Sequence, residues 1–338
     1  MQYREERSFA NAHKQTYLDG LEGLIARRQR ELAVERAAFA EGLFSAAESC
    51  RTAFKNMLGW PLTAQPCTTP PAVKCEELSV EEGYTVFRVS FEVLPELWMT
   101  ALLFKRSGEG KRPLVVVQHG GGGTPELISG IWGSTANYND MLQRVLKHDV
   151  HVLAPQLLLW TQKEESDVHF DRIRTDARLK RLGGSIAALE VYGITRMLDY
   201  FETTDYVKNF GMVGLSYGGF YTLYTAAVDT RIRSAVSCSW FNTRDAHPWS
   251  DWTWQNAAAQ FDDAEVACLV YPRRLCLEIG TRDELFEKEG GEASFARITE
   301  LCRNVGTDWV EFIAFDGKHE FCLDDAPIER LIADLKGE

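Results

Sequence analysis

The stretch Gly214-Leu215-Ser216-Tyr217-Gly218, with a further glycine at 219, sets a serine hydroxyl between small residues. On a sharp strand-to-helix turn such a serine is a nucleophile; in an ordinary glycine-rich loop it is not. With 26 glycines in 338 residues, the pattern alone decides nothing, and the flanks must. An apolar, strand-like run, Phe210–Gly214, precedes the serine, and a helical stretch, Phe220–Val228, follows it. Glycines two residues either side avoid clashes at a strained turn, and Ala226 and Ala227 keep the following helix slim.

A serine hydroxyl is weak alone and needs a general base oriented by a carboxylate. For a nucleophile on this kind of turn the chain order is serine, acid, histidine. Only His247 and His319 follow Ser216. His247 lies upstream of the best acid, whereas His319 follows the last apolar run in Phe315-Asp-Gly-Lys-His-Glu-Phe321, so His319 is the candidate base. The acid falls at the end of the preceding run, in Gly280-Thr-Arg-Asp-Glu-Leu-Phe286, where Asp283 is preferred and Glu284 is the alternative. A tetrahedral intermediate also needs backbone donors. The Tyr217 amide, directly after the serine, is one. The loop His119-Gly-Gly-Gly-Gly123 offers the other, Gly121 first and Gly120 next. A phosphate-binding loop is the competing use of these glycines, but no Lys-Ser/Thr pair follows them. His119 itself reads as a prop for the loop.

Short, nearly all-apolar runs at 113–118, 150–154, 210–214, 232–238, 275–279 and 309–315 suit strands buried on both faces of a parallel sheet. Helical patterns alternate with them, including Ile186–Phe201 before the Ser216 strand. Tyr84–Val93 alternates like a half-buried strand, with 97–104 as its hairpin partner. The expected class is therefore α/β, a doubly wound, mostly parallel sheet with an antiparallel edge. Residues 1–62 read as an N-terminal helical extension, 62–74 as a proline-bearing linker, and 75–338 as the catalytic domain. Ligands bind beyond the carboxyl ends of such strands, where every polar candidate lies. Residues 239–254 hold Trp240, Trp249, Trp252 and Trp254. They could roof the site, stacking on sugar rings or lining an acyl pocket, or pack the core of a long insertion. The charged segment 161–181 reads as a solvated excursion, with a lid as the alternative.

The net charge of −12 argues against nucleic acid or an anionic membrane as partner, and no apolar run is long enough to span a bilayer. The charged N-terminus shows no secretory pattern, and the eight cysteines form no C-x-x-C. Both point to a cytoplasmic protein with reduced thiols. No histidine or cysteine spacing indicates a metal. The N-terminal helices could pair two copies into a homo-oligomer.

The HGGGG loop, GLSYGG, GTRDELF and GKHEF, in this order, resemble the α/β-hydrolase superfamily. Arg51, Phe54, MLGWPL (57–62), the run from Asp229 to Val236 and Tyr271-Pro-Arg-Arg-Leu275 narrow the resemblance to the acetyl xylan esterase-like branch, related to dienelactone hydrolases. Members of that branch also carry a helical N-terminal extension, and the resemblance spans roughly residues 50 to 325. It implies a carboxylic ester hydrolase with Ser216, Asp283 and His319 as triad, a small-molecule ester substrate and no cofactor. One departure is the dipeptide after His119-Gly120, which is more often bulkier in such esterases. GLSYGGFYTL is also similar to prolyl-oligopeptidase-type peptidases, but the large propeller those enzymes use has no room in this chain. A non-catalytic binding protein on the same scaffold is a third class; such proteins typically lose a triad member, and all three candidates are present.

Overall fold

The computed structural model describes residues 1–160 and 168–337. Three antiparallel strands open the sheet: β1 (Val73–Glu81), β2 (Tyr84–Leu94) and β3 (Leu97–Arg106). Six parallel strands follow: β4 (Arg112–Gln118), β5 (His151–Pro155), β6 (Val207–Leu215), β7 (Ile232–Cys238), β8 (Arg274–Gly280) and β9 (Val310–Phe315), with β3 antiparallel to β5. The spatial order is β1-β2-β3-β5-β4-β6-β7-β8-β9. From β4 the chain steps one way to β5, and from β6 the other way to β7. The crevice beyond the carboxyl ends of β4 and β6 is thus the topological switch point, the place where open α/β sheets bind ligands.

The apolar runs become buried strands because helices cover both sheet faces. Leu114 and Val116 of β4 face one core, while Val115 and Val117 face the other, as the two-residue repeat of a strand requires. The second core is closed by α3 (Pro125–Ile128), α4 (Met141–Leu146) and α10 (Ala326–Lys336). The first is closed by α2 (Ala47–Leu58), α6 (Ile186–Glu202), α7 (Tyr217–Val228), α8 (Asp263–Cys268) and α9 (Lys288–Leu301). Every residue of α7 is buried, which explains its small residues and its lack of an amphipathic pattern.

The N-terminal extension divides in two. Residues 1–25 are exposed throughout, although α1 (Arg7–Ala40) is helical over 34 residues, and it meets the body through Leu32, Arg36 and Ala40. By contrast α2 belongs to the main core through Cys50, Phe54 and Leu58. Buried Arg51 donates to the carbonyls of Ala227 (2.8 Å) and Leu269 (2.9 Å), a cation set at the carboxyl ends of α7 and α8. Two local expectations are corrected. The linker expected over 62–74 gives way at Val73 to β1, an edge strand whose exposed side chains lack the alternation that would reveal it. The excursion expected over 161–181 is not simply solvated: 161–167 lie outside the described residues, and α5 (Arg172–Lys180) buries Arg172 and Asp176. Asp176 accepts the Ile186 N–H at the start of α6 (2.9 Å) and pairs with Lys180 (2.7 Å). All eight cysteines are free thiols. Among the described residues, no helix is long and apolar enough to cross a membrane, and no cluster of side chains is set to hold a metal ion.

Candidate active site

Ser216 follows β6 and precedes α7 with φ +60° and ψ −124°, a conformation side chains rarely adopt and one that stores strain. Its neighbours must be glycines. A Cβ on Gly218 would sit 2.1 Å from the Gln118 carbonyl oxygen, and one on Gly214 would sit 2.2 Å from that of Gly218. The turn is fixed by Ser216 N–H donating to the Cys238 carbonyl (2.8 Å) and Phe220 N–H donating to that of Ser216 (2.9 Å).

Asp283 and His319 come together across the ends of β8 and β9. His319 Nδ1 lies 2.9 Å from Asp283 Oδ2, and the other carboxylate oxygen accepts the N–H groups of Leu285 (2.9 Å) and Phe286 (3.1 Å). The Asp283 carboxylate is wholly buried, whereas His319 keeps 21% of its side chain open to solvent. Glu284 is exposed and does not reach the imidazole. The His319 loop and the Ser216 turn rest on two adjacent residues at the end of β7. Cys238 accepts from Ser216, and the Ser239 hydroxyl donates to the Glu320 carbonyl (3.1 Å). Among the described contacts, no hydrogen bond joins the Ser216 hydroxyl to His319. Bonds between nucleophile and base are commonly long before substrate is bound.

A turn that carries no motif props both sides. Asn137 Nδ2 donates to the His319 carbonyl (2.9 Å), Asn139 Nδ2 donates to that of Phe321 (2.7 Å), and Phe321 N–H donates back to the Asn137 carbonyl (2.9 Å). Between them, the Tyr138 hydroxyl accepts the Gly120 N–H (2.8 Å). That contact corrects one expectation: the Gly120 amide is occupied and is not aimed at a substrate oxygen. Of the two glycines expected to donate, Gly121 is the one whose N–H no described group accepts. It lies directly under the Trp160 ring, where a Cβ would come within 2.9 Å of the indole and displace it. His119 does prop the loop. Its Nδ1 lies 3.0 Å from the Gly120 carbonyl and its Nε2 accepts the Leu157 N–H (3.1 Å). Burial lowers its pKa to about 4, which keeps the imidazole neutral and in one tautomer across the physiological range.

The four tryptophans separate. Trp240 and Trp252 are fully buried and Trp254 nearly so, packed on Phe220 and Tyr224 in the core. None of these three can present a face to substrate, which corrects their assignment to binding. Trp249 is half-buried, stacks near Tyr217 (6.0 Å) and approaches Phe286 (5.9 Å), which in turn packs on His319. Trp160, which no sequence motif singles out, meets both Trp249 (5.3 Å) and Tyr217 (5.2 Å) and stays 45% exposed. Trp160 and Trp249 therefore form the aromatic rim of the crevice.

Below the His319 loop, β8 carries a buried carboxyl, Glu278, beside Cys238 and Cys322, with Oε2 lacking a hydrogen-bond partner. Desolvation raises its pKa from 4.5 to about 7. The folded state therefore holds a proton that the unfolded chain releases between these values. Stability from this group is full below pH 4.5, falls as pH rises to 7, and is level beyond; the whole change is on the order of 3 kcal/mol. Glu278→Gln is accordingly expected to unfold at higher urea than wild type at pH 8 and to match it near pH 4.5. An equal difference at both pH values would show that packing, not protonation, is responsible.

No family model matches the chain, and neither does any curated protein. Solved structures do. A Bacteroides fragilis protein carrying an acetyl xylan esterase assignment superposes with a TM-score of 0.64 at 17% identity, over 82% of this chain and 76% of its own. A glucuronoyl esterase from Solibacter usitatus gives 0.63 at 14% identity, over 87% and 92%. Acetyl xylan esterase 1 from a Thermoanaerobacterium species gives 0.57 at 14% identity, over 85% and 93%. With these neighbours, a mostly parallel nine-stranded sheet, and a serine on the strained turn between β6 and α7, the chain has the α/β-hydrolase fold.

Proposed function

We propose that the protein is a serine carboxylic-ester hydrolase acting on small acylated substrates, acetylated sugars among them, through Ser216, His319 and Asp283. The observation that carries this reading is the buried Asp283 carboxylate bonded to His319 at 2.9 Å, on a loop that shares its footing with the Ser216 turn. In the reaction, Ser216 Oγ attacks the ester carbonyl carbon and its proton passes to His319 Nε2. Asp283 holds the Nδ1–H tautomer and stabilises the imidazolium that forms. The carbonyl oxygen becomes an oxyanion, met by the N–H groups of Tyr217 and Gly121. The bond to the alcohol oxygen then breaks, and the alcohol leaves with the proton from His319. Water, deprotonated by the same imidazole, releases the acid and restores the serine. Trp160 and Trp249 are the faces available to a ring in the leaving alcohol. The structural neighbours, named as acetyl xylan and glucuronoyl esterases, support an ester of a carbohydrate as the substrate class.

The test is a fluorophosphonate probe followed by a substrate panel. The wild-type protein is expected to be labelled on Ser216 and to prefer p-nitrophenyl acetate to longer acyl esters and to aminoacyl anilides. A folded protein that takes no label would sink the hydrolase reading. Anilide turnover without ester turnover would replace esterase by peptidase.

A further inference from the structure

We propose that Arg172 is a positioning residue for the oxyanion hole, one buried guanidinium that holds both of its backbone donors in register. The inference rests on the esterase reading above and adds a residue that no catalytic motif contains. Arg172, at the start of α5, keeps only 3% of its side chain exposed. Its Nε donates to Asp251 Oδ2 (2.7 Å), and that same oxygen accepts the Tyr217 hydroxyl (2.8 Å). Tyr217 is the residue whose N–H follows the nucleophile, so the far end of its side chain is tied to the guanidinium through one carboxylate. On the other side, Nη1 donates to the Leu158 carbonyl (2.6 Å). Leu158 leads into Trp160, whose ring lies against Gly121, the second donor. Behind the guanidinium, Glu190 Oε2 accepts from Nη1 and Nη2 (both 3.1 Å), Glu190 Oε1 accepts the Leu158 N–H (3.0 Å), and the Tyr221 hydroxyl accepts from Nη2 (2.8 Å).

The planar fork is what makes the arrangement work, because a lysine offers one point charge and cannot span Asp251 and the Leu158 carbonyl together. A buried ion-pair network adds little net stability over apolar packing of the same volume, so its contribution here is geometric. The donors of an oxyanion hole act only when fixed at the place where charge develops.

Three variants test the clamp: Arg172→Lys, Asp251→Asn and the mild Tyr217→Phe, each normalised to fluorophosphonate-titrated sites. The substrates are a p-nitrophenyl ester and its thionoester, in which C=S replaces C=O. Sulfur accepts hydrogen bonds weakly, so the oxygen-to-sulfur rate ratio reports on the donors. For Arg172→Lys, kcat on the oxygen ester is expected to fall about 10- to 100-fold with KM within about threefold of wild type, and the oxygen-to-sulfur ratio to fall with it. Tyr217→Phe should move both in the same direction by about three- to tenfold. A purely structural role would lower the melting temperature and the number of titratable sites while leaving kcat per site and the ratio unchanged. That result overturns the clamp even if every variant is less stable. An active wild type with an unaltered ratio in folded Tyr217→Phe and Arg172→Lys removes the clamp alone, whereas a wild type that turns over no ester removes the esterase reading and the clamp with it.

Discussion

Replacing Ser216 by alanine is expected to lower kcat/KM on p-nitrophenyl acetate by about 10⁴-fold or more and to abolish fluorophosphonate labelling, with the fold intact. Alanine removes only Oγ, the atom that would form the acyl bond, and keeps the Cβ that the turn already accommodates. The backbone supplies a second arm. At φ +60° and ψ −124°, every residue with a side chain is strained, and only glycine is free of that cost. Ser216→Gly should therefore be as inactive as Ser216→Ala yet more resistant to urea, by about 1–3 kcal/mol. Activity and stability would then be opposed at one position, as expected where a strained conformation is kept for its chemistry. Ester hydrolysis surviving in Ser216→Ala would move the nucleophile elsewhere. Equal stability of the alanine and glycine variants would mean that the turn stores no strain.

How far the sequence reveals this site depends on the range of the interactions involved. The buried strands are legible because a run such as Leu-Val-Val-Val within β4 has no soluble alternative to a covered sheet. The Ser216 turn is legible because sterics impose glycine at fixed offsets, and Asp283 and His319 because chain order leaves few candidates. Contacts between polar groups far apart in sequence leave no such mark. Arg172 meets Asp251 across 79 residues, and Asn137 meets His319 across 182, and neither pair carries a local pattern. Arg172 therefore reads as one more charge in a solvated stretch, although it is among the most buried cations of the molecule. The same gap explains Gly120. Composition marks both loop glycines as amide donors, and only the distant Tyr138 hydroxyl shows which of them is already engaged. The tryptophans divide for a related reason: the types favoured at a ligand-stacking surface are also favoured in a core, and burial alone separates Trp252 from Trp249.

Asp283→Asn is expected to reduce kcat by about 10³- to 10⁴-fold, whereas Glu284→Gln should change it less than about twofold. The size of the first effect follows from the hydrogen bonds around the carboxylate. Oδ1 accepts two backbone N–H groups, from Leu285 and Phe286, and Oδ2 faces His319 Nδ1. An asparagine there must turn its carbonyl oxygen to the two backbone donors, because its NH₂ cannot accept from them. The NH₂ then points at His319 Nδ1, which becomes an acceptor, and the ring proton moves to Nε2. An imidazole protonated at Nε2 cannot take the serine proton, so the variant keeps its side-chain volume and most of its hydrogen bonds but holds the wrong tautomer. Its melting temperature should therefore stay near that of wild type while the rate collapses. Stability and rate falling together would mean that the asparagine disrupts the loop rather than the proton position. Activity retained in Asp283→Asn but lost in Glu284→Gln would transfer the orienting role to Glu284, against the geometry of the His319 loop.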